Sequence, residues 1–365
     1  FADGHDEVRA FLLYRQSGES VWNRAPMQAL GNDRWSGSFE IKERKRYEYS
    51  VCGYVCEFST WIHDLKKRID AGNNISVELK IGAAMIKETA GRCQGAEAEK
   101  LLKWAGELIG LDTKAAVGAA MNEELYRIME VNVDPARVAM YGREHLVSVE
   151  PRRARFSSWY EFFPRSWGEK PGVHGTFKDG ERLLPEIARM GFDIVYLPPI
   201  HPIGTAFRKG KNNVTICAPG EPGSPWAVGS ADGGHKAVNP ALGTLEDFCA
   251  FVKKAKGLGL EVALDIAFQC SPDHPYLKEH PDWFKWRPDG TVQYAENPPK
   301  KYEDIVPFNF ETSDREALWE ELKSVFLFWA EQGVTVFRVD NPHTKPFLFW
   351  DWVIAKVKAE YPDAI

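Results

Sequence analysis

Apolar and polar residues alternate with a period of two in the first part of the chain. Val8-Arg-Ala-Phe-Leu-Leu-Tyr14, Arg34-Trp-Ser-Gly-Ser-Phe39 and Tyr47-Glu-Tyr-Ser-Val-Cys-Gly-Tyr54 are short runs divided by Gly, Asn and Asp. Period-two runs with such turns predict an antiparallel β-sandwich over residues 1–83, completed by 133–153 through Leu146-Val-Ser-Val149. Between these stretches, over 84–132, the period changes. Leu101, Ala105, Leu108 and Leu111 recur on one helical face, as do Val117, Met121, Leu125 and Ile128, predicting a helical insert.

From Ala154 onward the order becomes strand, long loop, helix, strand, which predicts parallel βα units. The expected strands are 158–163, 193–197, 261–268 and 334–340. Thr244 with Asp247, and Ser313 with Glu316, read as capping-box starts, while Gly257 and Gly333 read as C-terminal caps. The expected fold class is thus α/β joined to a β-sandwich. Residues 154–365 read as the first four strands of a (β/α)₈ TIM barrel, with 270–311 as the long loop after the third strand.

Composition narrows the function classes. The chain has 365 residues, 44% hydrophobic and 27% charged, enough for two or three cores and not the profile of a disordered chain. A net charge of -6 provides no basic field for a nucleic-acid backbone, so no nucleic-acid partner is expected. Six scattered cysteines without paired zinc spacing fit a reduced, cytoplasmic location and imply neither a disulfide framework nor a metal site. No apolar run approaches the roughly 18 residues of a membrane span. The chain begins with Phe1, and 361–365 reads as a loop leading into a strand, so both ends read as cut. Thirteen tryptophans suit carbohydrate, whose rings bury C–H surface on flat aromatic faces.

Barrel enzymes carry their chemistry at the C-terminal ends of strands. There the sequence places a cationic, amide-rich loop, Phe207-Arg-Lys-Gly-Lys-Asn-Asn213, then Asp265 with Gln269 following it, and Phe337-Arg-Val-Asp340. Residues two apart on a strand share a face, so Arg338 and Asp340 point together, and the arginine favours an ionised carboxylate. From the residues alone, a solvated basic loop and a structural Arg–Asp pair remain open.

These segments, with Tyr196-Leu-Pro-Pro-Ile200, resemble the ordered motifs of the α-amylase superfamily. More specifically, Phe156-Ser-Ser-Trp-Tyr-Glu-Phe-Phe-Pro-Arg165, the 207–213 loop, Gln269-Cys-Ser-Pro-Asp-His-Pro275, Ala295-Glu-Asn-Pro-Pro-Lys-Lys-Tyr302 and Val339-Asp-Asn-Pro-His-Thr-Lys-Pro346 resemble the maltose-1-phosphate maltosyltransferases. Gln269-Cys270 stands where amylases carry Asn-His, and Thr344 where they carry His, both as in that family.

The resemblance implies retaining transfer of maltosyl units from α-maltose 1-phosphate to an α-1,4-glucan, with Asp340 as nucleophile, Arg338 supporting it and Asn341 contacting substrate. It further implies that Lys209, Gln269 and Asp304 bind the donor and that Asn297, Lys300 and Tyr302 line its phosphate end. It implies no metal or cofactor, a homodimer through the insert and sandwich, and an acid/base Glu on a fifth strand beyond Ile365, so that these 365 residues alone are expected to be inactive. The alternatives are an amylase-like hydrolase or transglycosylase on unphosphorylated glucan, and a non-catalytic glucan-binding half barrel.

Overall fold

A computed structural model describes residues 2–365 and divides the chain into two compact units at Val149/Glu150, four residues before the boundary expected from the sequence. Phe1 lies outside the described residues.

In the first unit the strands are β1 (Val8–Gln16), β2 (Asn23–Pro26), β3 (Gln28–Gly31), β4 (Arg34–Ser36), β5 (Arg46–Val55), β6 (Ala139–Met140) and β7 (His145–Ser148). They form a five-stranded antiparallel sheet of order β2-β1-β5-β6, with β7 also on β5, and a separate β3–β4 hairpin. The long β1–β5 ladder runs from Val8↔Val55 to Gln16↔Tyr47, as the period-two pattern requires.

The helical part differs from the expectation of a start at residue 84. It begins at Glu57, with α1 (Glu57–Asp70), α2 (Ser76–Ala90), α3 (Ala96–Gly110), α4 (Thr113–Ala120) and α5 (Glu123–Val131). The cause is a helical stripe inside the supposed sandwich: Phe58, Trp61, Ile62 and Leu65 fall at i, i+3, i+4 and i+7, and all four are buried. Leu65, Ala83, Ile86, Leu101, Ala105 and Leu125 make the inter-helix core. Leu111 does not join that face; α3 ends at Gly110, and Leu111 is extended and 46% exposed.

The second unit contains α6 (Arg152–Arg155), β8 (Trp159–Glu161), α7 (Phe177–Gly180), α8 (Leu184–Arg189), β9 (Ile194–Leu197), α9 (Leu245–Gly257), β10 (Glu261–Ile266), β11 (Gln269–Cys270), α10 (Tyr276–Glu279), β12 (Ala295–Asn297), β13 (Lys300–Tyr302), β14 (Val306–Pro307), α11 (Arg315–Glu331), β15 (Val336–Val339) and α12 (Phe347–Glu360). Four of these strands form a parallel sheet of order β15-β10-β9-β8. They occupy the four expected positions, each shorter than its apolar run. Within the long loop, β11 pairs with β14, Gln269 opposite Pro307, and β12 pairs with β13.

Side-chain parity divides this sheet into two faces. Val195, Leu197, Val262, Leu264 and Ile266 pack against helix residues including Phe248, Phe251, Leu322, Val325 and Trp329. Burying a Phe of this kind contributes roughly 1.5–3 kcal/mol. The opposite face carries the small cluster Ile194, Tyr196, Ala263 and Val336. By the same parity Asp265, Arg338 and Asp340 continue that face toward the strand ends.

The Thr244–Asp247 capping box forms as expected. No box forms at Ser313: α11 begins at Arg315, and the Asp314 carboxylate instead accepts from Trp283 Nε1 at 2.9 Å. Gly257 is the last residue of α9, and Gly259 takes the left-handed turn beyond it with φ +81°. Gly333 does so after α11, with φ +93°.

Candidate functional site

The register of the parallel sheet sets Asp265 on β10 beside Arg338 on β15. Asp340 immediately follows β15 and is fixed there by its backbone N–H, which donates to the Ile266 carbonyl at 3.0 Å. Arg338 Nη1 donates to Asp340 Oδ1 at 2.7 Å and to Asp265 Oδ2 at 3.0 Å. Asn341 Nδ2 donates to Asp340 Oδ2 at 2.9 Å. Asn341 holds φ 46°, ψ 51°, a left-handed conformation that Asn tolerates better than most residues, and it ends the strand with a sharp turn. The Asp340 side chain is 16% exposed, so its carboxylate is oriented by two donors and still accessible.

Asp265 plays a different part. It is fully buried, and its Oδ2 also accepts from Tyr196 Oη at 2.5 Å and Trp226 Nε1 at 3.3 Å. Its Oδ1 is buried without a hydrogen-bond partner among the described residues. Burial, opposed by the Tyr196 hydrogen bond and the Arg338 charge, pushes this carboxyl up to about 6. Gln269, also buried, donates from Nε2 to the Trp226 carbonyl at 3.1 Å. Trp226 therefore joins Gln269 to the carboxylate group. Lys345 donates to the Asn341 carbonyl at 3.2 Å, and burial, opposed by the charge of Asp340, pulls its ammonium down to about 8.

A second group forms around Lys209. Its loop is tied down by Asp273, whose Oδ2 accepts from the Thr205 backbone N–H at 2.6 Å, Thr205 Oγ1 at 2.9 Å and the Ala206 N–H at 2.8 Å. Burial alone would raise the Asp273 carboxyl, but these donors hold it below its ordinary value. Lys209 and Asp304 are both buried, with Lys209 Nζ 3.9 Å from Asp304 Oδ1. Burial raises the Asp304 carboxyl, against the pull of Lys209. Asp304 lies two residues beyond the β12–β13 hairpin, on which Asn297 pairs with Lys300, both exposed, and Tyr302 is half-buried.

The structure thus brings Arg338, Asp340, Asn341 and Gln269 into one connected group, and Lys209 and Asp304 into another. Among the described residues no hydrogen bond or ion pair joins the two groups, or joins Lys300 or Tyr302 side chains to either. Sequence reasoning missed the linking roles of Tyr196, Trp226 and Asp273. Tyr196 shares the parity of Asp265, a usable signal; the other two contacts span 39 and 67 or 68 residues and leave no local signature.

His235, Cys270 and His274 are buried with potential ligand atoms within 4.8 Å of one another. Hydrogen bonding accounts for the ring nitrogens of both histidines. The Tyr276 N–H donates to His274 Nδ1 at 3.1 Å, so His274 donates from Nε2 to His235 Nδ1 at 3.1 Å, and His235 Nε2 donates to the Ala267 carbonyl at 2.9 Å. A cation would have to displace these bonds, so the cluster fits a neutral structural relay better than a metal site. Burial accordingly lowers His235 to about 4 and His274 to about 2; neighbouring His201, also buried, falls to about 3.

Residues 1–151 match the family described as α-1,4-glucan:maltose-1-phosphate maltosyltransferase, domain N/S. Over all its length the chain is 53% identical to the α-1,4-glucan:maltose-1-phosphate maltosyltransferase of Chlorobaculum tepidum, covering 54% of that protein. It is 54% identical to the protein of the same name from Methylacidiphilum infernorum, covering 55% of it. The chain therefore spans about half the length of the curated relatives it matches. Among solved structures, an α-amylase from Lactobacillus plantarum is 31% identical, with a TM-score of 0.48, over 57% of this chain and 44% of its own.

Proposed function

We propose that the chain is a member of the α-1,4-glucan:maltose-1-phosphate maltosyltransferase family, which it resembles over its whole length, and that it carries the nucleophile and donor-binding residues of a retaining maltosyltransferase. The donor is α-maltose 1-phosphate and the acceptor is the non-reducing end of an α-1,4-glucan. The observation that carries this reading is the Asp340 carboxylate: paired with the Arg338 guanidinium, oriented through both oxygens, and accessible at the end of a parallel strand.

Asp340 attacks the anomeric carbon, the bond to the phosphate oxygen breaks, and phosphate departs with the electron pair. The resulting β-maltosyl ester is then attacked by the acceptor 4-hydroxyl, whose proton passes to a general base, and the second inversion restores the α configuration. Arg338 and Asn341 hold the nucleophile, with Asn341 also meeting substrate. Lys209, Gln269 and Asp304 bind the sugar, and Asn297, Lys300 and Tyr302 receive the phosphate through amide, ammonium and phenol donors.

The acid/base carboxyl is assigned to none of these 365 residues. Asp265 is ill suited to it, because it is fully buried and its Oδ2 is engaged by Tyr196, Trp226 and Arg338. In this reading the second unit supplies the first four strands of a (β/α)₈ barrel, and the first unit is the family's N-terminal sandwich domain. The protein works in the cytoplasm in α-glucan synthesis, as a homodimer formed through α1–α5 and the adjoining sheet. Light scattering on the intact protein and on a variant lacking α1–α5 tests the dimer and its interface; a monomer in the first case, or a dimer that persists in the second, would contradict the assignment. The activity is tested by phosphate release from purified α-maltose 1-phosphate in the presence of glucan. Release only when glucan is present, with the glucan lengthened by maltosyl units, supports transfer; release of free maltose alone would contradict it.

A further inference from the structure

The second unit has an open cavity of about 650 Å³ lined by Arg165, Trp167, Lys170, His174 and, two residues beyond Lys209 on the same loop, Lys211 among others. Its size suits a small organic ligand, and its charge is one-sided. None of Arg165, Lys170 and Lys211 has an ion-pair partner among the described residues, although Glu169 beside Lys170 is paired elsewhere, with Arg182. Arg165 is half-buried, and among the described residues its guanidinium makes one hydrogen bond, from Nη1 to the Gly223 carbonyl at 2.9 Å. A guanidinium withdrawn from water without a counter-charge is unfavourable, and burial pulls its pKa down, so the site is short of an anion.

The wall that carries these cations is held in shape by its backbone. The Gly175 N–H donates to the Arg165 carbonyl at 2.9 Å, and a Cβ on Gly175 would meet the Pro164 carbonyl oxygen at 2.3 Å. A Cβ on Gly168 would meet the Val173 carbonyl oxygen at 2.2 Å. The turn is therefore folded tightly on itself, an arrangement that reduces the ordering cost of binding. Beside the cations Trp167 is 41% exposed, leaving indole surface available at the cavity wall. A dianion held by guanidinium and ammonium groups, next to an aromatic face suited to sugar C–H surface, describes one ligand class.

We propose that this cleft binds a phosphorylated sugar, with the phosphate on Arg165, Lys170 and Lys211 and a sugar ring against Trp167. The assignment rests on the cleft itself and stands apart from the transferase reading.

The test is calorimetric titration of the intact protein with glucose 1-phosphate, inorganic phosphate and maltose. It compares wild type with the exposed-residue variant Lys170→Ala/Lys211→Ala and with Trp167→Ala. The cleft component is expected to weaken by about tenfold or more for both phosphate ligands in the double variant. In Trp167→Ala the preference for glucose 1-phosphate over inorganic phosphate is expected to disappear. Isotherms unchanged by the double lysine substitution would overturn the phosphate site, and a preference unchanged by Trp167→Ala would overturn the sugar contact. Maltose binding lost in parallel with phosphate binding would overturn the role given to the cations. Absence of transferase activity together with intact cleft binding would count against the transferase reading alone.

Discussion

Arg338 Nη1 stands 2.7 Å from Asp340 Oδ1, and the same nitrogen reaches Asp265 Oδ2 on the neighbouring strand. One cation therefore separates two carboxylates and orients the accessible one. Arg338→Gln removes the charge and leaves the carboxylates facing each other. A charge-assisted hydrogen bond contributes about 1.5–3 kcal/mol, so kcat/KM for phosphate release should fall by about ten- to a hundredfold. A loss of less than about twofold would separate Arg338 from the chemistry.

Stability should decline on mild acidification because three histidines are buried uncharged. The unfolded chain binds their protons from about pH 6.5 downward, whereas the folded chain resists to about 3 at His201, 4 at His235 and 2 at His274. Between those limits the unfolded state binds more protons, so stability is lost as pH falls; His235 alone accounts for roughly 3 kcal/mol across its window. Asp265, raised to about 6, and Asp304, also raised by burial, act with the opposite sign, since their neutral forms are favoured on folding. Three groups against two leave a net loss. Denaturant midpoints at about pH 7 and about pH 5 check this, and a midpoint that rises on acidification would contradict it.

Gly82→Ala should destabilise the helical part of the first unit, against local propensity. Replacing Gly by Ala in a helix ordinarily stabilises it by roughly 1 kcal/mol. Here a Cβ on Gly82 would lie 2.1 Å from Trp61 Cζ2, and Trp61 is anchored by its Nε1 donating to the Glu78 carbonyl at 2.8 Å. Overpacking of this kind costs about 1–3 kcal/mol, so packing outweighs propensity. A thermal midpoint equal to or above that of wild type would show that α1 and α2 separate easily.

The parallel strands are legible in the sequence because strands buried on both faces read as continuous apolar runs, as Ile194-Val-Tyr-Leu197 does. The Arg338–Asp340 pairing is legible from strand parity alone. The start of the helices at Glu57 is obscured by the adjoining strand β5, whose aromatic alternation invites extension of the β reading across a helical stripe. Local sequence is silent on partners that meet only in the fold. Ser313 and Glu316 have the composition of a capping box, yet Trp283, some thirty residues earlier, occupies the carboxylate at the helix start. Asp273 looks like an ordinary turn residue until its carboxylate is found tethering the loop that bears Lys209.

Lys300→Ala tests the phosphate end of the proposed donor site. Lys300 is exposed on β13, directly opposite Asn297, so its truncation should leave folding unchanged. Loss of one charge-assisted phosphate contact should lower kcat/KM for α-maltose 1-phosphate by about tenfold or more. Maltosyl transfer from an unphosphorylated donor should change far less. Equal losses with both donors would remove Lys300 from the phosphate site.

The central claim, that Asp340 is the nucleophile, is tested most directly by trapping the covalent intermediate. A fluorinated maltosyl donor that forms the ester but resists its turnover is incubated with the intact protein, which is then digested and mapped by mass spectrometry. The expected result is a single maltosyl-type label on Asp340, absent from Asp340→Ala, which should also lose phosphate release while still binding α-maltose 1-phosphate. A label on another residue, or turnover retained by Asp340→Ala, would contradict the account.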